Sequence, residues 1–151
     1  MKYYCRSIFV LIFFYTFPVF AQSILDIKDQ DFVIGNKDAP VTIIEYASLS
    51  CSHCADFHIN TLPKIKQEFV ETGVAKVVFR AFPTNYPALL GSMVLRCIPE
   101  EIRYEYLDAL YKLQNSWVFR DSNKTIQELY KIMQSGGMKK DDFDNCIKDS
   151  D

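Results

Sequence analysis

Cys51 and Cys54 stand two residues apart in the stretch EYASLSCSHCADFH, with His53 between them and His58 four positions past the second cysteine. Three chemistries use thiols at this spacing. A dithiol can cycle to a disulfide and back. Cys54 and His58 form an i, i+4 pair, so Cys51, Cys54 and His58 offer three of the four ligands that a closed zinc site needs. Two thiols can also serve as small apolar side chains in a core. The elements that hold the pair decide among these.

Pro40 precedes VTIIEYAS, a β-branched run that reads as a buried strand. A helix follows from Ser52 to about Thr72. Within it Cys54, His58, Leu62, Ile65 and Phe69 recur at helical spacing and share one face. Pro63 should kink this helix and Gly73 should end it. VAKVVFRAF is a second β-rich run. Strand, helix and strand in that order make a βαβ unit with parallel pairing and a right-handed crossover. Upstream, Gln22 to Lys37 reads as a polar lead-in with one short apolar patch, DFVIG. From about Ala88 the pattern is helical, in four segments: ALLGSMVLRCI, EEIRYEYLDALYKL, KTIQELYKIMQ and KKDDFDNCIKD. Met93, Tyr106, Leu110 and Met133 in these segments read as core positions and not as cofactor ligands.

This frame places Cys51 at the end of the first strand and Cys54 in the first turn of the helix. A cysteine there meets unpaired backbone N–H groups and the positive end of the helix dipole, and both favour the thiolate. Such sites lower a thiol pKa from about 8.5 into the range of roughly 3.5–7.5. Cys51, the outer thiol, would attack or be attacked, and Cys54, further buried, would resolve the mixed disulfide. His53 could donate to the Cys51 thiolate or favour it electrostatically. A C-x-x-C inside a βαβ pattern favours the redox couple over the metal site and over structural thiols. His58 taken alone reads as a core-facing or partly exposed helix residue. Glu45 interrupts an apolar strand and leaves two readings. It either faces outward, or it is a raised-pKa acid beneath the pair that exchanges a proton with Cys54.

The whole chain sets the context. Its 151 residues fit one domain, and 49% of them are hydrophobic, enough for a core. The net charge is −2 with no basic stripe, so nucleic-acid binding has no support. The first 21 residues differ in kind. Lys2 and Arg6 precede SIFVLIFFYTFPVFA, which is short for a membrane span, and Val19-Phe20-Ala21 fits a signal cut after Ala21. An uncleaved anchor is the alternative. Cleavage removes Cys5 and leaves Cys51, Cys54, Cys97 and Cys146 in a compartment where disulfides persist.

EYASLSCSHCADFHINTLPKIKQEF followed by VVFRAFPTN resembles the DsbA family of thiol-disulfide oxidoreductases, from about Asp31 to the C-terminus. The resemblance rests on the Glu six residues before the first Cys, the C-x-H-C tetrad, the LPK at the helix kink and the FR-FP strand end. It implies an α/β fold, with a thioredoxin-like βαβ core over residues 22–151 and an inserted helical subdomain over about 86–151. It also implies a redox pair at Cys51 and Cys54, a buried acid at Glu45, and a structural disulfide joining Cys97 of LRC to Cys146 of FDNC. The implied function is disulfide formation in reduced exported proteins of the periplasm. A membrane redox partner would re-oxidise the pair, with no organic cofactor and no metal. This chain departs from the family at Ser52-His53, where Pro-His is usual, and at Ala81, where an acid is common. Family members continue into a cis-proline loop, two strands and a last helix. Pro83, Pro87 and Pro99 lie too early to supply that loop. The expectation is an incomplete oxidoreductase with an open edge on the Glu45 strand. Its rivals are an inactive remnant and a small exported metal-binding protein.

Overall fold

The computed structural model describes residues 25–28 and 30–148, so the signal segment expected over residues 1–21 lies outside the described residues, Cys5 included. One mixed sheet carries the architecture, with strands in the order β1, β3, β2. Central β3 (Ala75–Ala81) is buried over its first five residues, as a β-branched run flanked on both sides should be. Strand β2 (Val41–Ala47) runs parallel to it, in register from Val41 opposite Ala75 to Ala47 opposite Ala81. Strand β1 (Phe32–Ile34) runs antiparallel on the other side, with Phe32 opposite Phe79. Its source is DFVIG, the patch that reads as lead-in. Three residues are too few to display a period, yet Phe32 and Ile34 alternate into the core.

Strand β2 corrects the reading of a buried strand. Val41 is 48% exposed and Tyr46 is 47% exposed. Among the described residues only β3 pairs with it, so its far edge and much of its surface are open. β-Branched residues suit a half-covered strand as well as a buried one, and composition alone does not separate the two.

The connection between β2 and β3 is one helical rod in four pieces. Helix α1 (Ser52–Asp56) passes into a π-helical turn at Phe57–Thr61, then α2 (Leu62–Ile65), then a second π-helical turn at Lys66–Val70. Pro63 sits in the first turn of α2. It has no N–H to give back along the helix, and the widened turn before it absorbs that loss. Each π turn accommodates one residue more than an α turn, which rotates everything downstream. The expected stripe therefore changes along its length. His58 and Leu62 are buried and Cys54 and Ile65 partly so, but Phe69 faces solvent and Val70 takes its place inside. Gly73 ends the rod at φ +75, a conformation that L side chains avoid.

The rest is helical. Helices α3 (Tyr86–Arg96), α4 (Glu100–Lys112), α6 (Ser122–Ser135) and α7 (Lys140–Lys148) occupy the four expected segments. Asn85 and Asp121 cap α3 and α6 by accepting from the N–H groups of Ala88 and Lys124. Helix α5 (Gln114–Trp117) is a single turn with no periodic signature in the sequence. Leu110 and Met133 are fully buried, while Met93 and Tyr106 are only partly so. Trp117 is also fully buried, and its Nε1 donates to the Leu110 carbonyl at 2.8 Å. Gly91 lets α3 approach this centre: a Cβ there would stand 2.9 Å from Trp117 and 3.0 Å from Leu49. Leu49 lies two residues before Cys51, so the helical layer packs directly on the cysteine loop. A disulfide joins Cys97, just past α3, to Cys146 of α7, with Cα atoms 6.2 Å apart.

Candidate active site

Cys51 occupies the N-cap of α1 in extended backbone geometry, and both Cys51 and Cys54 stand as free thiols. The backbone N–H of Cys54, the Cys54 thiol and the backbone N–H of His53 all favour the Cys51 thiolate and hold its pKa below the ordinary thiol value, against a smaller opposing effect of burial. Cys54 goes the other way. Burial raises its pKa, as do the neighbouring Cys51 and the charge of Glu45, with the Ser48 backbone opposing them. Two thiols three positions apart are thus driven to opposite acidities, Cys51 down by the N–H groups of the helix start and by the Cys54 thiol, and Cys54 up by burial. His53 departs in detail from the expectation, since its backbone N–H and not its exposed imidazole reaches the sulfur.

Glu45 lies on β2 opposite Phe79. Its Oε2 is buried without a hydrogen-bond partner, and burial pushes its pKa up to about 7. Its charge bears on both Cys54 and Tyr111, and its buried Oε2 rules out a carboxyl held fully in solvent. A raised carboxyl pKa favours folding at low pH. That contribution is complete below about 4.5 and disappears as pH rises through about 7. Glu45→Gln should therefore stabilise the fold at pH 8 relative to the unaltered chain by about 1–2 kcal/mol, after discounting for partial exposure, with no gain at pH 4. Urea unfolding at the two pH values measures this, and an equal change at both contradicts it.

The metal trio does not assemble. His58 turns away from the thiols into the helical layer, where its ring packs 4.7 Å from Tyr111 and its Nε2 lies 3.6 Å from Asp108. Among the described residues, no group of three or more His, Cys, Asp and Glu is arranged to hold a metal ion. A cavity of about 410 Å³ opens elsewhere, between β1, β3 and α3, and touches neither thiol.

Gln114 is a supporting residue that sequence reasoning missed. It is buried in α5, and its Nε2 donates to the carbonyls of Leu49 at 2.9 Å and Cys51 at 3.1 Å. The loop is further held by the Cys51 N–H donating to Ser48 O at 3.1 Å and by Ser48 Oγ lying 3.0 Å from Thr84 Oγ1. A lone glutamine in a four-residue helix carries no pattern, so no signal marked it. Gln114→Leu strands buried carbonyls and should cost about 1–3 kcal/mol in denaturant unfolding. A change within 0.5 kcal/mol, the scale of neutral surface substitutions, would show that the loop holds itself.

A central strand flanked by a parallel and an antiparallel neighbour, a helix capped by the first cysteine of C-x-x-C, and a helical layer over that cap define a thioredoxin-like protein with a DsbA-like helical insertion. The thioredoxin family model matches residues 28–151, and the chain belongs to that family. The crystal structure of Wolbachia pipientis alpha-DsbA1 superposes with a TM-score of 0.77 at 34% identity, covering 83% of this chain and 63% of that one. BdbD from Bacillus subtilis shares the fold at 23% identity, with a TM-score of 0.66 over 80% of this chain and 68% of that one. A Rickettsia bellii protein named "Putative protein-disulfide oxidoreductase" is 32% identical over 124 residues, 82% of this chain and 47% of its own length. The chain spans about half the length of the curated relatives it matches. Among the described residues no helix is long and apolar enough to cross a membrane.

Proposed function

We propose that this protein is an exported, periplasmic thiol-disulfide oxidoreductase that forms disulfides in other exported proteins through Cys51 and Cys54. The observation that carries this reading is the placement of Cys51 at the N-cap of α1 with the free thiol of Cys54 in the first turn, in a thioredoxin-family fold. Starting from the Cys51–Cys54 disulfide, a substrate thiolate attacks Cys51 Sγ. A substrate–Cys51 bond forms, the Cys51–Cys54 bond breaks, and Cys54 leaves as a thiolate that takes a proton. Glu45, with a pKa of about 7 and a charge that bears on Cys54, is the group that gives it in this reading. A second substrate thiolate then attacks the substrate sulfur. The substrate disulfide closes, and Cys51 departs as a thiolate already favoured by the N–H groups of Cys54 and His53. Two electrons pass from substrate to the pair, and a membrane redox partner, proposed from family likeness alone, removes them. A more stable Cys51 thiolate is a better leaving group and makes the pair more oxidising.

Alkylation rate against pH tests the reading. Cys51 should titrate well below the unperturbed midpoint of about 8.5, with Cys54 above it. A Cys51 midpoint at the unperturbed value would remove the oxidant assignment. The reverse step separates Glu45 from a bystander. When Cys54 resolves a mixed disulfide it must first lose its proton, and in this reading the Glu45 carboxylate accepts it. Glu45→Gln should slow release of mixed disulfides from Cys51 by roughly tenfold or more, and slow their formation less. Equal effects on the two steps would return Glu45 to a structural role.

A further inference from the structure

The cavity of about 410 Å³ between β1, β3 and α3 combines an apolar floor with a positive rim. Phe32, Phe79 and Leu95 line the floor, none of them more than 6% exposed. Four cations and one acid also line it, Lys28, Arg80, Arg96 and Arg103 against Asp31, for a net charge of +3. The whole chain carries −2, so positive charge is concentrated at this one place. Asp31 is spent on Arg80. Arg80 Nε donates to Asp31 Oδ1 at 3.0 Å and Nη2 to Oδ2 at 2.6 Å, while Nη1 donates to the Tyr46 hydroxyl at 2.8 Å. Arg103 gives Nε and Nη2 to the Ile98 carbonyl at 3.0 and 2.8 Å, which fixes its guanidinium and leaves Nη1 able to donate. That guanidinium stands 5.5 Å from the centre of the Phe32 ring. Lys28 and Arg96 are exposed, and neither side chain has a hydrogen bond or ion pair among the described residues. Glu100 also bears on Arg103, but it is held by Lys37 at 2.9 Å.

We propose that this cavity binds a small amphiphilic oxyanion, a carboxylate or phosphate monoester on a short acyl or aryl body. Like charges gathered at a concave, low-dielectric wall repel one another and focus a positive potential, which an anion relieves. Arginine selects the kind of anion, because its planar fork matches the paired oxygens of a carboxylate or phosphate. The floor selects the rest of the ligand. A bare ion would leave Phe32, Phe79 and Leu95 facing water, whereas an apolar body covers them. The volume lies within the roughly 300–1,000 Å³ of small-molecule sites, which pair an apolar lining with a few convergent polar groups. The oxyanion meets Arg103 Nη1, Arg96 and Lys28, and the body lies on the floor beneath them. Neither Cys51 nor Cys54 lines the cavity, so the site stands apart from the oxidoreductase reading and does not rest on it.

Calorimetric titration of the full chain with octanoate and with phenyl phosphate tests the site, with 1-octanol and inorganic phosphate as the two halves of the ligand. At least one amphiphilic anion should bind, roughly tenfold or more tighter than either half, and the one that binds assigns the acid group. Amide NMR shifts should fall on Phe32, Phe79, Arg80 and the last turns of α3. The double variant Lys28→Gln, Arg96→Gln removes two exposed charges and no side-chain hydrogen bond, so it should not lower the Tm. It should weaken binding by at least about tenfold and flatten the loss of affinity with added salt. Cys51→Ser should bind as the unaltered chain does, which keeps this test separate from that of the thiols. Octanol binding as tightly as octanoate overturns the proposal, because the cations then play no part. Inorganic phosphate binding as tightly as phenyl phosphate overturns it, because the floor then plays none. An unchanged affinity in the double variant, shifts confined to other elements, or no binding of either amphiphilic anion also overturns it. A chain that sediments with phosphatidylglycerol vesicles and binds neither free anion has a membrane surface there instead, and that result overturns the small-ligand site.

Discussion

Cys51→Ser should abolish disulfide exchange, lowering the rate of oxidative refolding of a reduced substrate by at least about a thousandfold. Cys54→Ser should instead trap a stable mixed disulfide. The argument is chemical before it is structural. Exchange needs a thiolate, and a serine hydroxyl is not ionised at any pH where the protein is folded. The fold itself should survive the change, because serine is among the preferred N-cap residues and Cys51 occupies the N-cap of α1. The two variants also separate the roles through pH. The Cys51 pKa is lowered in the folded state, so its thiolate contributes stability that is present above the ordinary thiol pKa and is lost as pH falls through the lowered value. The reduced chain should therefore gain stability relative to Cys51→Ser as pH rises across that window, because the opposing Glu45 contribution is common to both proteins. Thermal unfolding of both proteins under reducing conditions reads the difference. Residual refolding activity in Cys51→Ser would place the reacting sulfur elsewhere. A parallel pH response in the two proteins would deny that the helix start holds a thiolate at all.

The thiols proposed to react were easier to read in the sequence than the groups that support them, for physical reasons. Thiol exchange demands cysteine, and two cysteines at a strand-to-helix junction admit few other uses. Glu45 was visible because a carboxyl in an apolar strand is anomalous wherever it points. Gln114 is an ordinary residue for surface or core. Its role depends on which loop it meets after folding, and it reaches Leu49 O from sixty-five positions away. The helical periodicity of the active rod held only as far as Ile65. π turns insert a residue without any change of composition, and so Val70 is inside where Phe69 was expected. Strand β1 escaped because three residues show no period, and its place is set by pairing with β3. The exposure of β2 was not legible in its own residues, because burial of a strand depends on its neighbours; only the open edge expected on the Glu45 strand from the family resemblance anticipated it.

Removing the Cys97–Cys146 disulfide is the change expected to cost the most stability. The bond spans 49 positions and encloses α4, α5 and α6. Closing a loop of that length restricts the unfolded chain by about 4 kcal/mol in the chain-entropy account, and measured effects run at about 2–4 kcal/mol. For a chain of this size that is a fall in Tm of roughly 10 °C. The enclosed helices carry Gln114, which holds the Leu49 and Cys51 carbonyls, and Trp117, which donates to the Leu110 carbonyl within the helical layer. The double variant Cys97→Ala, Cys146→Ala is the proper comparison, because a single replacement leaves an unpaired third thiol able to exchange with Cys51 and Cys54. It should unfold at lower denaturant, and hydrogen exchange should quicken first in α7, whose Cys146 anchors it to the end of α3. Cys51 and Cys54 should still react, since neither is part of the bridge. Peptide mapping without reductant supplies the direct check: Cys97 and Cys146 should be recovered as one linked pair from protein isolated under non-reducing conditions. Two free thiols there, or a double variant with an unchanged Tm, would mean that packing of Phe143, Leu129 and Met133 holds this layer without the bridge.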